Sequence, residues 1–356
     1  MKVYIGGGVG EHGRNCFYVS CDGLSFLVDC GLMADDMTDP YPHLIPEQIN
    51  NLDAVFLTHS HNDHTGAIPW LYENGFDGEI IATAKTLEQI NFPLKKKTPL
   101  EEICPNQTGT YKGFKINWGR AGHTAGSVWY KFSTEDKTLV FSGDYSEHSP
   151  IYECDLLRGM AADLAVIDAA YGRVDKSFME ACKEIIERTK DLLDVHKIIA
   201  FPVPKYGRGI ELFKILSEEI KNINYYGDDN MVMAVEDFKK GGFFYKKAKI
   251  KKEIYSYKGE DKGIVFISNP QLKSDASAKI ADQILAMGGK IIATGFIEDK
   301  TYVKNLLDQG KLEALIYPIH QNYKEYLELL DKNSFKKSIP YHSDELKAEE
   351  KYFNIY

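Results

Sequence analysis

A chain of 356 residues with 44% apolar and 12% aromatic residues can bury one large core or two moderate ones, which excludes a disordered chain and a stapled miniprotein. Its net charge of −9 argues against broad, sequence-independent adhesion to nucleic acid, because such adhesion depends on neutralising phosphates. No apolar run approaches the ~20 residues of a membrane span, the start Met1-Lys2-Val3-Tyr4-Ile5-Gly6 lacks a signal peptide's apolar core, and Cys16, Cys21, Cys30, Cys104, Cys154 and Cys182 form no Cys-x-x-Cys pair; a cytoplasmic protein with reduced thiols and no membrane partner is expected.

Strands are predicted at Val3-Tyr4-Ile5, Cys16-Phe17-Tyr18-Val19 and Phe26-Leu27-Val28, with an Asp22-Gly23 turn between the last two. Gly8-Val9-Gly10-Glu11-His12-Gly13 fits a dinucleotide fingerprint, and Asp29 lies near the position of its ribose-binding acid. A dinucleotide site needs a helix after those glycines. Here Asn15 to Val28 alternates like a hairpin, so nucleotide binding is rejected. Next comes the apolar run Ala54-Val55-Phe56-Leu57, then His59-Ser60-His61-Asn62-Asp63-His64, then a helix near 66–74 on which Ile68, Leu71 and Tyr72 share a face. Further strands are predicted at Glu79–Ala82, Phe114–Asn117, Val128–Phe132 and Thr138–Phe141.

From about residue 173 the pattern changes. Phe178, Ala181, Cys182, Ile185, Ile186, Thr189 and Leu193 recur at helical spacing. A strand Lys197–Phe201, a helix through Ile210, Phe213, Leu216 and Ile220, a strand Ile264–Ser268, a helix 275–287 and a strand Lys290–Ala293 follow. This alternation predicts a parallel α/β unit inserted into a first domain. The expected domains are 1–172 with 291–356, and 173–290 between them, with a strand Ala314–Tyr317 delivering His320. Lys95, Lys96 and Lys97, and Lys246, Lys247, Lys249, Lys251 and Lys252, form two positive stretches that read as solvated faces.

Three histidines and an aspartate within six residues, on a strand-to-helix loop, are hard to explain as packing. Imidazole and carboxylate suit zinc or a similar divalent ion, and the tight spacing can feed two neighbouring ions. The run H-x-H-x-D-H resembles the signature of the metallo-β-lactamase-fold hydrolases. Leu27-Val28-Asp29-Cys30-Gly31 is similar to that family's first motif, Gly122-His123-Thr124-Ala125-Gly126-Ser127 to its third, and Phe141-Ser142-Gly143-Asp144 to its fourth. The resemblance implies an α/β fold, an αββα sandwich, with a short inserted α/β cap.

Beyond residue 144 the resemblance narrows to the β-CASP nucleases, the group of ribonuclease J and the endonuclease that cleaves pre-messenger RNA. Val166-Ile167-Asp168-Ala169-Ala170-Tyr171-Gly172 looks like the group's acidic motif, Phe201-Pro202-Val203-Pro204-Lys205-Tyr206-Gly207-Arg208-Gly209 like its proline turn and Gly-Arg pair, and Ile316-Tyr317-Pro318-Ile319-His320-Gln321-Asn322 like its last motif. The resemblance implies two divalent metal ions, zinc first and Mn2+ as the alternative. His59, His61 and His123 hold one, Asp63, His64 and His320 the other, and Asp144 bridges them; Asp63 also orients the attacking water. The group's middle motif, a histidine about two dozen residues before the last, has no counterpart in Ala293-Thr294-Gly295-Phe296-Ile297-Glu298-Asp299-Lys300. Asp168 and Glu298 are therefore expected to share a proton as the general acid, or else Glu298 faces solvent and water or a metal-bound group protonates the leaving oxygen. His12, His43, His148, His196 and His342 read as ordinary histidines.

The leading expectation is a dinuclear metal hydrolase acting on RNA, with DNA as the other substrate and a homo-oligomer admitted. The alternatives are a small-molecule metallo-hydrolase of the same fold, using the cap as a lid, and a non-catalytic β-CASP-like subunit.

Overall fold

The computed structural model describes residues 1–33 and 38–355. It divides into two compact units, one made of Met1–Glu147, Cys154–Asp175 and His320–Tyr356, the other of His148–Glu153 and Lys176–Ile319.

The first unit is built on two sheets. A seven-stranded sheet runs Tyr352–Asn354, Lys2–Gly7, Cys16–Cys21, Leu24–Val28, Ala54–Phe56, Glu79–Ala82 and Lys97–Pro99 in spatial order. A six-stranded sheet runs Ser338–Tyr341, Leu164–Asp168, Thr138–Phe141, Val128–Ser133, Phe114–Arg120 and Thr108–Tyr111. Their inner faces meet through aromatic rings: Phe26 and Phe56 of the first sheet lie 4.8 and 5.1 Å from Phe132 of the second, and Phe17 lies 5.8 Å from Phe141. The outer faces are covered by helices, with Leu27, Val55 and Ile80 packed under Ile49 and Leu71, and Val140, Ala165 and Ile167 under Tyr326 and Leu329. These layers are the expected αββα sandwich. The ends of the strands Leu24–Val28, Ala54–Phe56, Thr138–Phe141, Leu164–Asp168 and Ser338–Tyr341 lead directly into the residues discussed below.

The second unit is an all-parallel six-stranded sheet in the order Ile254–Ser256, Tyr225–Gly227, Gly263–Ile267, Ile198–Pro202, Lys290–Ala293 and Leu312–Ala314. Its central strands are buried throughout, as a parallel sheet covered on both faces requires. The helix Phe178–Val195 is started by Ser177, whose side chain accepts from Glu180 N while Glu180 reaches back to the Ser177 backbone.

The chain returns to the first unit at His320, not near residue 291 as the sequence suggested. The reason lies in Ile291 and Ile292, which are fully buried, and in the pairing of their strand with Ile198–Pro202 on one side and Leu312–Ala314 on the other. The segment His148–Glu153 also belongs to the second unit. It is held there by the Ser149 hydroxyl, which donates to the buried Glu211 carboxyl group, and by Tyr152 Oη, which donates to Gly207 O at 3.0 Å. Burial pushes the Glu211 carboxyl up to about 8, against the opposing effects of the Ser149 hydrogen bond and the Lys246 and Arg208 charges. Among the described residues no helix is long and apolar enough to cross a membrane.

Candidate metal centre

The His59–His64 loop leaves the strand Ala54–Phe56 through Leu57 and Thr58, and His61 opens the short helix Asn62–Thr65. Backbone bonds fix the loop on both sides: Val128 N donates to Thr58 O at 2.9 Å, Asn15 N to Asp63 O at 2.9 Å and Cys30 N to His64 O at 2.8 Å. Gly31 makes that second approach possible. A Cβ at Gly31 would fall 1.6 Å from Asp63 O, so Gly31→Ala has to push the loop away. We expect Gly31→Ala to lose most bound metal and to lower the melting temperature, checked by metal quantification and thermal denaturation; wild-type metal content in this variant would overturn the argument.

Asp29 follows the strand Leu24–Val28 with φ +61°, a left-handed backbone that a non-glycine residue holds only at a cost. That turn aims its carboxylate inward. One oxygen accepts from Thr58 N at 2.7 Å, and the other from Thr58 Oγ1 at 2.8 Å and His64 Nδ1 at 2.7 Å. His64 is thereby rotated so that Nε2 faces Asp144 Oδ1 at 3.1 Å and Asp63 Oδ2 at 3.5 Å. A carboxylate gripping the far nitrogen of an imidazole fixes its tautomer and raises its basicity as a ligand.

Asp144 is 2% exposed and sits at the centre of the cluster. Its Oδ2 lies 3.5 Å from His59 Nε2 and 3.4 Å from His123 Nε2, while its Oδ1 lies 3.4 Å from His342 Nδ1 and accepts from Tyr341 Oη at 3.0 Å. His61 Nδ1 and His123 Nε2 face each other at 3.1 Å. His342 Nε2 lies 3.1 Å from Asp63 Oδ2. The ligand atoms fall into overlapping groups, His59 with His61, His123 and Asp144, and Asp63 with His64, Asp144 and His342; within each group they lie within 4.8 Å of one another. A third group joins Asp144, Asp168, His320 and His342.

The donor set fits a pair of divalent ions. Among the described residues His59 Nε2 and His342 Nδ1 have no hydrogen-bond partner though buried, and both are directed at Asp144. Burial, with the nearby His64, holds the His59 imidazole well below its usual range, so it presents a neutral lone pair. Burial alone would raise Asp144 and lower His64, but the cluster's opposite charges win: His64, His342, His59 and His320 hold the Asp144 carboxyl well below the usual range, and Asp144, Asp29 and Asp63 hold His64 well above it. Asp144 and Asp63, chiefly the former, overcome burial to push His342 up to about 10. The carboxylates thus demand positive charge at the point where the imidazoles converge, which protons on His64 and His342 or divalent cations can supply.

The structure brings His59, His61, Asp63, His64, His123, Asp144 and His320 together, but it exchanges the part expected of His320. His342, read from the sequence as an ordinary residue, joins Asp63 and His64. His320 instead turns its Nδ1 to Asp168 Oδ2 at 2.8 Å, and lies 4.0 Å from Asp144. Asp168 is completely buried and also accepts from Tyr145 N at 2.9 Å and Ala170 N at 3.0 Å. Asp168 was expected to share a proton with Glu298; within its own unit its partner is His320, and in the second unit the Glu298 carboxylate pairs with Lys273. The spacing held the missed signal: His320 precedes His342 by 22 residues, the interval at which a histidine had been sought before His320. Asn15 was also missed; buried, its Nδ2 lies 2.9 Å from His64 Nε2 and 3.3 Å from Asp63 Oδ2.

The family model of the metallo-β-lactamase superfamily matches residues 9–186. Transcription termination factor FttA of Methanothermobacter thermautotrophicus is 29% identical over 248 residues, 60% of this chain and 39% of that protein. Ribonuclease TTHA0252 of Thermus thermophilus is 26% identical over 238 residues, 61% of this chain and 54% of that protein. The chain therefore spans from about two-fifths to about half the length of these two relatives. A crystal structure of a protein of unknown function from Enterococcus faecalis V583 superposes with a TM-score of 0.62 at 12% identity, covering 98% of this chain and 96% of that one, which is a likeness of fold.

Proposed function

Because the chain belongs to the metallo-β-lactamase superfamily and is related to its β-CASP members, we propose that it is a dinuclear metal hydrolase cutting phosphodiester bonds in RNA. The observation that carries the reading is the Asp144 carboxylate, with histidines of both ligand groups within 3.5 Å of it. In this proposal His59, His61, His123 and Asp144 would hold one ion, and Asp63, His64, His342 and Asp144 the other. Zinc is the ion proposed, since imidazole-rich sets with carboxylates suit it; manganese is the other outcome that metal quantification distinguishes. Two such ions lower the pKa of water and neutralise charge developing at a phosphodiester.

The chain's own residues supply the rest. The Asp168 carboxylate, 2.8 Å from His320 Nδ1, fixes the ring so that its Nε2 can be presented to the departing oxygen. Tyr145 N and Ala170 N keep the Asp168 carboxylate in place. Tyr341 Oη and Asp29 hold Asp144 and His64 in register. RNA as the substrate is supported by the likeness to a protein named as a ribonuclease.

The test is metal quantification on purified protein, followed by cleavage of labelled single-stranded RNA and DNA. We expect two ions per chain, cleavage of RNA, and a loss of at least ~10³-fold in Asp63→Ala with the fold retained by circular dichroism. Equal cleavage by Asp63→Ala and wild type, or one ion bound away from these residues, would overturn the proposal.

A further inference from the structure

The second unit carries a basic stripe that the proposed chemistry leaves unused. Between Lys239 and Lys258 the sequence holds eight lysines, five aromatic residues and one acid, Glu253, in a chain whose net charge is −9. The structure uses only part of this charge. Lys239 pairs with Glu253, Lys246 Nζ donates to Ser149 O at 2.7 Å and Lys252 Nζ to Ile223 O at 3.5 Å. Lys240, Lys247, Lys249, Lys251 and Lys258 are exposed and have no carboxylate within ion-pair distance among the described residues. Lysines elsewhere are commonly neutralised, as Lys96 is by Asp77, Lys112 by Asp53 and Lys336 by Asp163.

The pattern is ordered as well as charged. Lys247, Lys249 and Lys251 are exposed, while Ala248 and Lys252 are half-buried and Ile250 is buried. This alternation of exposure leaves three ammonium groups at the surface within five residues. The run leads into Ile254–Ser256, the edge strand of the sheet, where Tyr255 is 54% exposed, and it is preceded by Phe243, 51% exposed. Unneutralised cations in a row, flanked by exposed rings, match a phosphate backbone whose bases stack on aromatic faces. An acidic protein or a membrane surface would use the charge but has no bases to stack on the two rings.

We propose that this stripe is a sequence-independent binding surface for single-stranded RNA, separate from the metal centre's residues; RNA as the strand rests on the function proposed above. The test uses the full chain treated with EDTA and a labelled, unstructured 20-nucleotide RNA. Neutralising the row in the triple variant Lys247→Gln, Lys249→Gln, Lys251→Gln is expected to weaken binding at least ~10-fold at low salt and to flatten the slope of log K against log salt by about 2, three contacts at ~0.7 each. Arginine at the same three positions is expected to restore both, and Tyr255→Ala to weaken binding with little change in slope. The metal-loaded triple variant keeps wild-type hydrolysis of bis-p-nitrophenyl phosphate, a substrate with no strand of phosphates and bases to lie along the stripe. Unchanged RNA affinity and slope would overturn the proposal, as would equal losses of binding to polyglutamate or phosphatidylserine vesicles. RNA binding lost in the triple variant of a chain that hydrolyses nothing would uphold the stripe and overturn the hydrolase; hydrolysis without a stripe effect would do the reverse.

Discussion

On the function proposed above, His342→Ala is expected to take the chain from two bound ions toward one and suppress hydrolysis of every phosphodiester, while His320→Ala is expected to leave both ions bound and slow only those reactions whose leaving oxygen needs a proton. The two histidines lie with ring centroids 5.2 Å apart, yet their partners differ. His342 spans Asp63 and Asp144, at 3.1 and 3.4 Å, so its loss strips a ligand atom from the group that contains His64. His320 is bound to Asp168 and reaches Asp144 only at 4.0 Å. Loss of a general acid costs ~10²–10⁴-fold on RNA, whose leaving oxygen is strongly basic, and far less on a p-nitrophenyl ester, whose leaving group departs unprotonated. Metal content and the ratio of the two rates therefore separate the roles. One ion bound in His320→Ala and two in His342→Ala would reverse them. Because a proton on His342 must leave before that side chain can serve as a ligand, metal uptake is also expected to strengthen with rising pH.

The second large effect is on stability. The Glu211 carboxyl, 2% exposed, titrates at about 8 in the folded chain against 4.5 for an ordinary glutamate. Between those values the unfolded chain has released a proton that the folded chain retains, so folding weakens as pH rises from about 4.5 to 8 and is flat above. The difference corresponds to ~5 kcal/mol across the window. Glutamine at this position keeps an acceptor for the Ser149 hydroxyl and cannot ionise. Glu211→Gln is thus expected to match the wild type near pH 5 and to exceed it by several kcal/mol near pH 8.5, as read from denaturant unfolding of the second unit. Parallel pH profiles for the two proteins would contradict this account.

Much of the fold was legible because its signals are local. Asp22-Gly23 between two alternating apolar runs marks a hairpin, and Cys16–Cys21 pairs antiparallel with Leu24–Val28 as that turn demands. The metal loop was legible because few structural roles need so many imidazoles so close together. Three things were not local. Lys290–Ala293 has the same apolar character whether it closes one sheet or sits inside another, and only its pairing with Ile198–Pro202 decides. The six residues His148–Glu153 carry no periodicity that assigns them to the second unit. His320 and His342 each follow apolar residues, and choosing the first as the final ligand made a histidine appear to be missing; the strand Ser338–Tyr341, added beside Leu164–Asp168, delivers His342 to Asp144.

The order in which the ligand residues leave the ribosome has a consequence for the life of the nascent chain. His59 to Asp144 are made early, but His342 arrives only after the whole second unit has been synthesised, on a strand that must pair in parallel with Leu164–Asp168. Long-range parallel pairing is slow to form because it must first close a large loop. The candidate ligands His59, His61, His123 and Asp144 all precede the second unit in the chain, whereas the group of Asp63 and His64 is completed only when His342 has followed it.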